Sequence, residues 1–510
     1  MSVLRIGGKG GYAIGTVIIL ALISAVMVAA FLSLTLTEFK IVYSNSDSIA
    51  AFHIAEAGLE KGARLLYEDF VNTPEGENPS WLDTKFYFDS DEGGYTEIAP
   101  VSYLPDFYVL QGTTEHGGGT YVIEVANVEG RDDVVWVRAT GTYRGKTRAV
   151  ISKFFIRDIN PWNNAIFAGA GQSGRVINGN VDIRGSVHIL GEESNLGPVM
   201  EMSGSGYIGN NYVGMPWLLE SRVPSIVQNV DGDLVETLDT QVRVGIGQIL
   251  LDGSGAIGSD ATAPGIKYTV DGTFVTGGFV GNSGIANVHS DNGTAHPYDI
   301  GDDVFDGFPK ITDAYKTYAS YMDYLRDNAL VISDAAQLSD LSNIKRSSSF
   351  SYSNANGSIA MDGAGHLTIS GIVVIEGDFG FAKDNTGDIE YTGSASILAT
   401  GNVTFTNDVI VGSGQTYPST SIMGVMTPNT ITFNRSQLEV QGIFYAEDKI
   451  TSTKQTSVTG TFFSNYFDMG LQVPSIYQVP LVVDHLPPGM FGATTFFSIA
   501  QSSFKEVDAP

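Results

Sequence analysis

Between Lys9 and Glu38 the chain carries no charged side chain. Residues 13–36 read AIGTVIILALISAVMVAAFLSLTL. As a helix at ~1.5 Å per residue they would span about 36 Å, enough to cross a hydrocarbon core of ~30 Å. Within this span Ala13, Ile19, Leu22, Val26, Leu32 and Leu36 are candidate membrane-facing positions. Two other readings compete. A secretory signal peptide could end near Ala29-Ala30, but its apolar region is normally only ~7–15 residues long. A buried core helix would have to be apolar all round for six turns. Arg5 and Lys9 precede the span and Glu38 follows it. The positive-inside bias then predicts a single-pass protein of a bacterial inner membrane, with a cytoplasmic N-terminus and the bulk exported to periplasm or cell surface.

Charge and composition narrow the function classes. Of 510 residues, 28 are basic and 56 acidic, a net charge of −28. Nothing here would displace phosphate counterions, so nucleic acid is not an expected partner. Cysteine is absent, which removes disulfides, Cys-ligated zinc, iron–sulfur clusters and thiol nucleophiles. Sixty glycines and only 16% charged residues indicate short strands and tight turns.

The helix is expected to continue beyond the membrane. Neither proline nor a turn cluster interrupts residues 38–70, until Asn72-Thr73-Pro74. Phe52, Ala55, Leu59, Ala63 and Leu66 recur at helical spacing and form one stripe. Gly58 and Gly62 on the same stretch would let a sheet approach closely. The sharper of two readings is one helix of about 55 residues, ~80 Å long. The other is a separate amphipathic helix after an anchor.

Lys9-Gly10-Gly11-Tyr12-Ala13, the apolar span, and Ala55-Glu56-Ala57-Gly58-Leu59-Glu60 occur in that order. Together they resemble the N-terminal domain of type IV pilus assembly proteins of the PilX kind. The resemblance implies a membrane-anchored, minor-pilin-like surface protein, with the lipid bilayer and other pilus subunits as partners. It implies that the long helix contacts other subunits through Phe52, Ala55 and Leu59, with Glu56 on the same assembly helix. In pilins a glycine precedes the peptidase cut and a glutamate stands fifth in the mature chain. Here a cut after Gly10 puts Gly15 fifth, and a cut after Gly11 puts Thr16 there.

Residues 71–119 read as loop, with Pro74, Pro79, Pro100, Pro105 and Gly117-Gly118-Gly119. Strand-like segments follow at 120–128, 134–143 and 146–156, with tight-turn chemistry at Arg144-Gly145. Residues 1–37 are thus read as leader and membrane helix, and 38–160 as an α+β pilin-like unit of helix plus antiparallel meander.

From 161 to 510 a mainly-β parallel β-helix, or solenoid, is expected. Ile177, Ile183 and Ile189 are six apart, as are Gly179, Gly185 and Gly191. That is the period of a parallel β-helix in which each turn buries one branched residue. Ile372, Ile397, Ile422 and Ile443 lead a second array at intervals near one coil. Between the arrays, residues 215–360 read as a partly helical insertion, with helices at 311–329 and 334–344 and a serine-rich loop at 347–353. No clear element is expected after Pro487 except 494–499.

A β-helix with many acids also fits a membrane-tethered lyase or glycosidase, or an adhesin that meets glycans or host surfaces. Asp299, Asp302, Asp303 and Asp306 cluster, and Asp378 and Asp448 sit at repeat corners. Sugar hydrolysis needs two facing carboxylates, and solvated turn acids explain these residues equally simply. His289, Asp291 and His296 lack a zinc-protease motif. Asp231-Gly232-Asp233 and Asp384-Asn385-Thr386-Gly387-Asp388 lack the complete EF-hand spacing. The expectation is a structural or interaction protein, not an enzyme, with no cofactor, metal or catalytic residue.

Overall fold

The computed structural model describes residues 10–72, 108–128, 131–158, 160–173, 177, 179–194, 196–230, 233–300, 307–384, 387–452, 454–469, 474–491 and 497–507. The chain divides into two compact units, Met1–Arg157 with Phe497–Pro510, and Asp158–Phe496.

In the first unit one uninterrupted helix runs Gly10–Asn72, 63 residues, about 95 Å at ~1.5 Å per residue. No proline breaks its hydrogen-bond ladder. Four antiparallel strands follow at Tyr108–His116, Gly119–Val128, Arg131–Tyr143 and Lys146–Asp158. The first lies wholly in the stretch read as loop. The last two are joined by Arg144-Gly145, both at positive φ (46° and 79°). That two-residue turn matches the right-handed twist of the strands it joins. A fifth strand, Phe497–Val507, completes the sheet next to Lys146–Asp158. The strand Phe497–Val507 therefore belongs with the first unit, not with the repeats as expected. The alternation of these strands buries Ile123, Val125, Val137, Ala139 and Val150 under the helix. Ala126, Ala149, Ile151 and Val507 are buried on the other face.

In the second unit most strands pair in parallel, the exceptions being the Val227–Val230/Asp233–Glu236 hairpin and the antiparallel run Ser349–Ser353, Gly357–Asp362 and His366–Ile375. Phe167, on strand Ile166–Gln172, is paired with Phe463 on one side and His188 on the other. From His188 the ladder runs to Arg243 and Phe274. From Phe463 it runs the other way, to Tyr445, Met426, Leu398, Val374 and Val331. The two repeat arrays are therefore one stack. The chain enters it in the middle, builds outward, crosses to the far end, and returns to meet its own starting strand. The segment 215–360 contributes Gln241–Val244, Gly272–Val275 and Leu330–Ile332 to this stack, so it is not simply an insertion.

Register also differs from the spacing of the leading isoleucines. Ile372 pairs with Ser396, and Ile397 with Val373 and Val425. Ile372 and Ile397 are thus one step out of phase, on opposite faces of the sheet. The glycines of the six-residue period do stand at corners: Gly179, Gly185 and Gly191 have φ of 106°, 124° and 78°. A Cβ on Gly185 would lie 2.4 Å from Gln478.

Inside the stack, Phe381, Phe405, Phe433 and Phe462 form a column with centroids 5.3, 5.0 and 5.3 Å apart. The predicted helix at 311–329 is only Tyr321–Asp327. Lys316 has φ +50°, outside helical space, and the Ser320 side chain caps the helix by accepting from the Asp323 amide. The second short helix is present as Ala335–Leu341 with Asp334 as its cap. The serine-rich segment is a strand, Ser349–Ser353, paired antiparallel with Gly357–Asp362.

Candidate membrane and assembly helix

The long helix has two halves that differ in what covers them. From Val17 to Leu36 its large apolar side chains, Ile19, Leu22, Val26, Leu32 and Leu36 among them, are all exposed. The backbone at Ala13 is already helical, and its side chain lies outside the described set. Gly15–Leu66 contains an apolar window long enough to cross a membrane. Two hydroxyls at its outer end are satisfied within the helix. Thr35 Oγ1 donates to the Phe31 carbonyl and Thr37 Oγ1 to the Ser33 carbonyl, both at 2.8 Å. Such i−4 bonds hide polar groups that would be costly in hydrocarbon.

From Ala51 the same helix packs on its sheet. Ala51, Ile54, Ala55, Leu59 and Leu66 are buried, so Ala55 and Leu59, expected to contact other subunits, instead pack on the protein's own sheet. The buried face is centred on small residues. A Cβ on Gly58 would be 3.1 Å from the Tyr121 ring, and one on Gly62 would be 2.9 Å from Val137. Phe52 and Ala63, read as part of the stripe, are only half-buried at its flanks. Glu56 is also at the flank, where its carboxylate meets His53 Nδ1 at 2.8 Å. At the entry to the packed half, Arg148 Nε donates to Ser48 Oγ at 2.7 Å and the same guanidinium pairs with Glu506 at 3.0 Å. One arginine thus ties together helix, sheet and C-terminal strand.

Four further residues were missed by the sequence reading. Phe39, Val42, Tyr43 and Ile49 lie past Glu38, yet their side chains are 54–65% exposed as a group with Ile41. At ~100° per residue, Phe39, Val42 and Ile49 lie about 160°, 140° and 120° round the helix from Ala55, away from the centre of the buried face. The signal was available as a second apolar stripe out of phase with the first.

The acids weighed for catalysis are engaged in the second unit's framework. Asp299 pairs with Arg243 at 3.1 Å, and Asp291 with Lys267 at 2.7 Å. Asp378 Oδ1 accepts from the Asn402 amide at 2.8 Å, and Asp448 accepts from Thr430 Oγ1 at 3.0 Å. Asp384 accepts from the Ser347 amide at 3.1 Å. Asp231, Asp302, Asp303 and Asp306 lie outside the described residues. Among the described residues no group of three or more His, Asp or Glu is arranged as a metal set.

Asp388 and Asp408 line a polar cleft of about 380 Å³ with Lys383, Asn407 and Arg435. Burial first, and then the neighbouring Asp408, push the Asp388 carboxyl up. Burial likewise raises Glu439 beside them. Asp408 is held by Arg435 Nη2 and by the Glu439 amide at 2.7 Å, a corner brace between successive strands.

A long N-terminal helix, exposed and apolar at one end and packed on an antiparallel sheet at the other, followed by mostly-β structure, is a pilin-like arrangement. No family model and no curated protein matches the sequence. Among solved structures, the chain is similar in fold to the competence-associated pilin ComZ from Thermus thermophilus. The TM-score is 0.51 at 18% identity, over 90% of this chain and 97% of that one.

Proposed function

We propose that this protein is a membrane-anchored, non-catalytic subunit of a type IV pilus or related pseudopilus, of the minor-pilin or PilX-like assembly kind. The observation that carries this reading is the helix itself. Its first half is too apolar to remain in water, and its second half is the spine of the exported fold. The bilayer covers the stretch up to Leu36, with Lys9 on the cytoplasmic side. The stripe of Phe39, Val42 and Ile49, turned away from the helix's own sheet, then packs against another pilin-like subunit.

The second unit reads as a parallel β-helix that presents a long, acidic surface for interaction outside the cell. Parallel pairing of Val374, Leu398, Met426, Tyr445 and Phe463 in sequence order supports this, as does the internal phenylalanine column.

Because the chain has no cysteine, single cysteines at Val42 and Ile49 report cleanly on neighbours. In native membranes these variants should crosslink to pilin-like subunits, whereas a cysteine at Ala55 should not. Deleting residues 1–40 should release the protein from membranes. A deletion variant that still pellets with membranes, or a Val42→Cys variant that remains monomeric, would reject the reading.

A further inference from the structure

Three polar atoms deep in the second unit have no hydrogen-bonding partner among the described residues: Tyr417 Oη, Gln441 Nε2 and Thr459 Oγ1. All three residues are completely buried. A buried polar group left unpaired costs about 1–3 kcal/mol, so three in one region require a common explanation.

The topology sets these residues on neighbouring stretches of the stack. Gln441 and Thr459 are register partners on the long parallel strands Leu438–Ser452 and Thr456–Asp468. Side chains in register on adjacent strands point the same way. Gly442 and Gly460 are the next pair along. The Tyr417 hydroxyl reaches in from the loop after Val409–Val411 and sits 2.9 Å from where a Cβ on Gly460 would stand. At Gly460, where φ is +137°, a Cβ would meet the Gly442 carbonyl oxygen at 1.8 Å before it reached that hydroxyl.

The amide orientation of Gln441 is set by its other end. The Val411 amide donates to Gln441 Oε1 at 3.1 Å, so the Nε2 hydrogens face away from Val411 and need an acceptor. A hydroxyl can donate or accept, and an amide nitrogen donates. The three groups thus supply both signs of hydrogen bond, and a buried water typically makes about three bonds of this kind.

We infer that an internal water molecule is bound between Tyr417, Gln441 and Thr459 and joins the 412–421 loop to two successive strands of the stack. The site takes water rather than a metal cation, because Gln441 Oε1 is already engaged by Val411 and its Nε2 can only donate.

Oxygen-17 relaxation dispersion on the detergent-solubilised full chain counts long-lived internal waters. The triple variant Tyr417→Phe, Gln441→Leu, Thr459→Val should hold one fewer than the parent. The single variant Tyr417→Phe should keep the same number, since two partners remain. A high-resolution crystal structure of the parent should place density within hydrogen-bond distance of all three atoms. An unchanged count in the triple variant, or Tyr417 Oη bonded directly to Gln441 or Thr459 with no density between them, would overturn the inference.

Discussion

Gly141 of the sheet and Ala55 of the helix meet backbone to backbone: a Cβ on Gly141 would lie 2.5 Å from the Ala55 amide nitrogen and 2.3 Å from the Ala51 carbonyl oxygen. Neither atom is the end of a flexible side chain, so nothing can swing aside. Gly141→Val should force the helix off the sheet and cost at least the ~1–3 kcal/mol of an overpacked core. Chemical denaturation followed by tryptophan fluorescence, with Trp136 as reporter in the same sheet, checks this. A variant as stable as the parent would show that the close approach is wrong.

Leu59 is buried at 5% exposure in the same interface. Leu59→Ala should lose about 2–5 kcal/mol, with the spread set by how far the site can collapse. Phe52→Ala, at the half-buried flank, should cost less. Equal costs for the two would place the helix in a different rotation.

In the exposed half of the helix, Val26→Arg puts a charge near the middle of the apolar span. Insertion should become less favourable by about 2.5–3.5 kcal/mol. Alkaline extraction of membranes should then release a larger fraction of the variant than of the parent. The same substitution in a span that never entered lipid would leave extraction unchanged.

His188 is buried between Phe167 and Tyr298, with Nε2 2.6 Å from the Tyr298 hydroxyl and ring centroids 4.9 Å from Phe167. Burial first, and then the Arg243 guanidinium, hold its pKa well below the ordinary value of 6.5. The folded state therefore binds this proton less readily than the unfolded chain. Stability from His188 is complete above pH ~6.5 and is lost as pH falls from there toward the folded pKa. Thermal melts from pH 7.5 down to about 5 should show a decline that His188→Gln reduces. A decline of the same size in the variant would assign it to other groups.

The phenylalanine column has Phe405 at its centre, 5.3 Å from Phe381 and 5.0 Å from Phe433. Phe405→Ala should cost about 3–5 kcal/mol and lower the unfolding temperature of the second unit while leaving that of the first in place. Differential scanning calorimetry that resolves two transitions would show this. A shift in both would mean that the two units unfold together.

How much of this was legible before the structure depends on the range of the forces involved. The span between Lys9 and Glu38, the helical continuation through Leu66, the Arg144-Gly145 turn and the glycine corners at 179, 185 and 191 are local facts. Charge, periodicity and glycine's freedom at positive φ act within a few residues, so the amino-acid order alone carries them. The capped helix after Asp334 belongs with these. The helix predicted from 311 failed because the tyrosine spacing there is also satisfied by rings that cluster without helical backbone. Tyr315 and Tyr321 meet at 4.8 Å, and Tyr315 and Tyr324 at 5.1 Å.

Tertiary structure alone decided the pairings between distant residues. That Phe463 lies beside Phe167, that Ile372 and Ile397 are out of phase, and that strand Phe497–Val507 returns to the first sheet all depend on which backbone edges find each other. Parallel pairing leaves no turn to fix register, so only side-chain packing across the assembled stack selects it. The same holds on the long helix: sequence marks two apolar faces, and only the sheet's position, through Gly141, Gly58 and Gly62, determines which face is buried and which is left exposed.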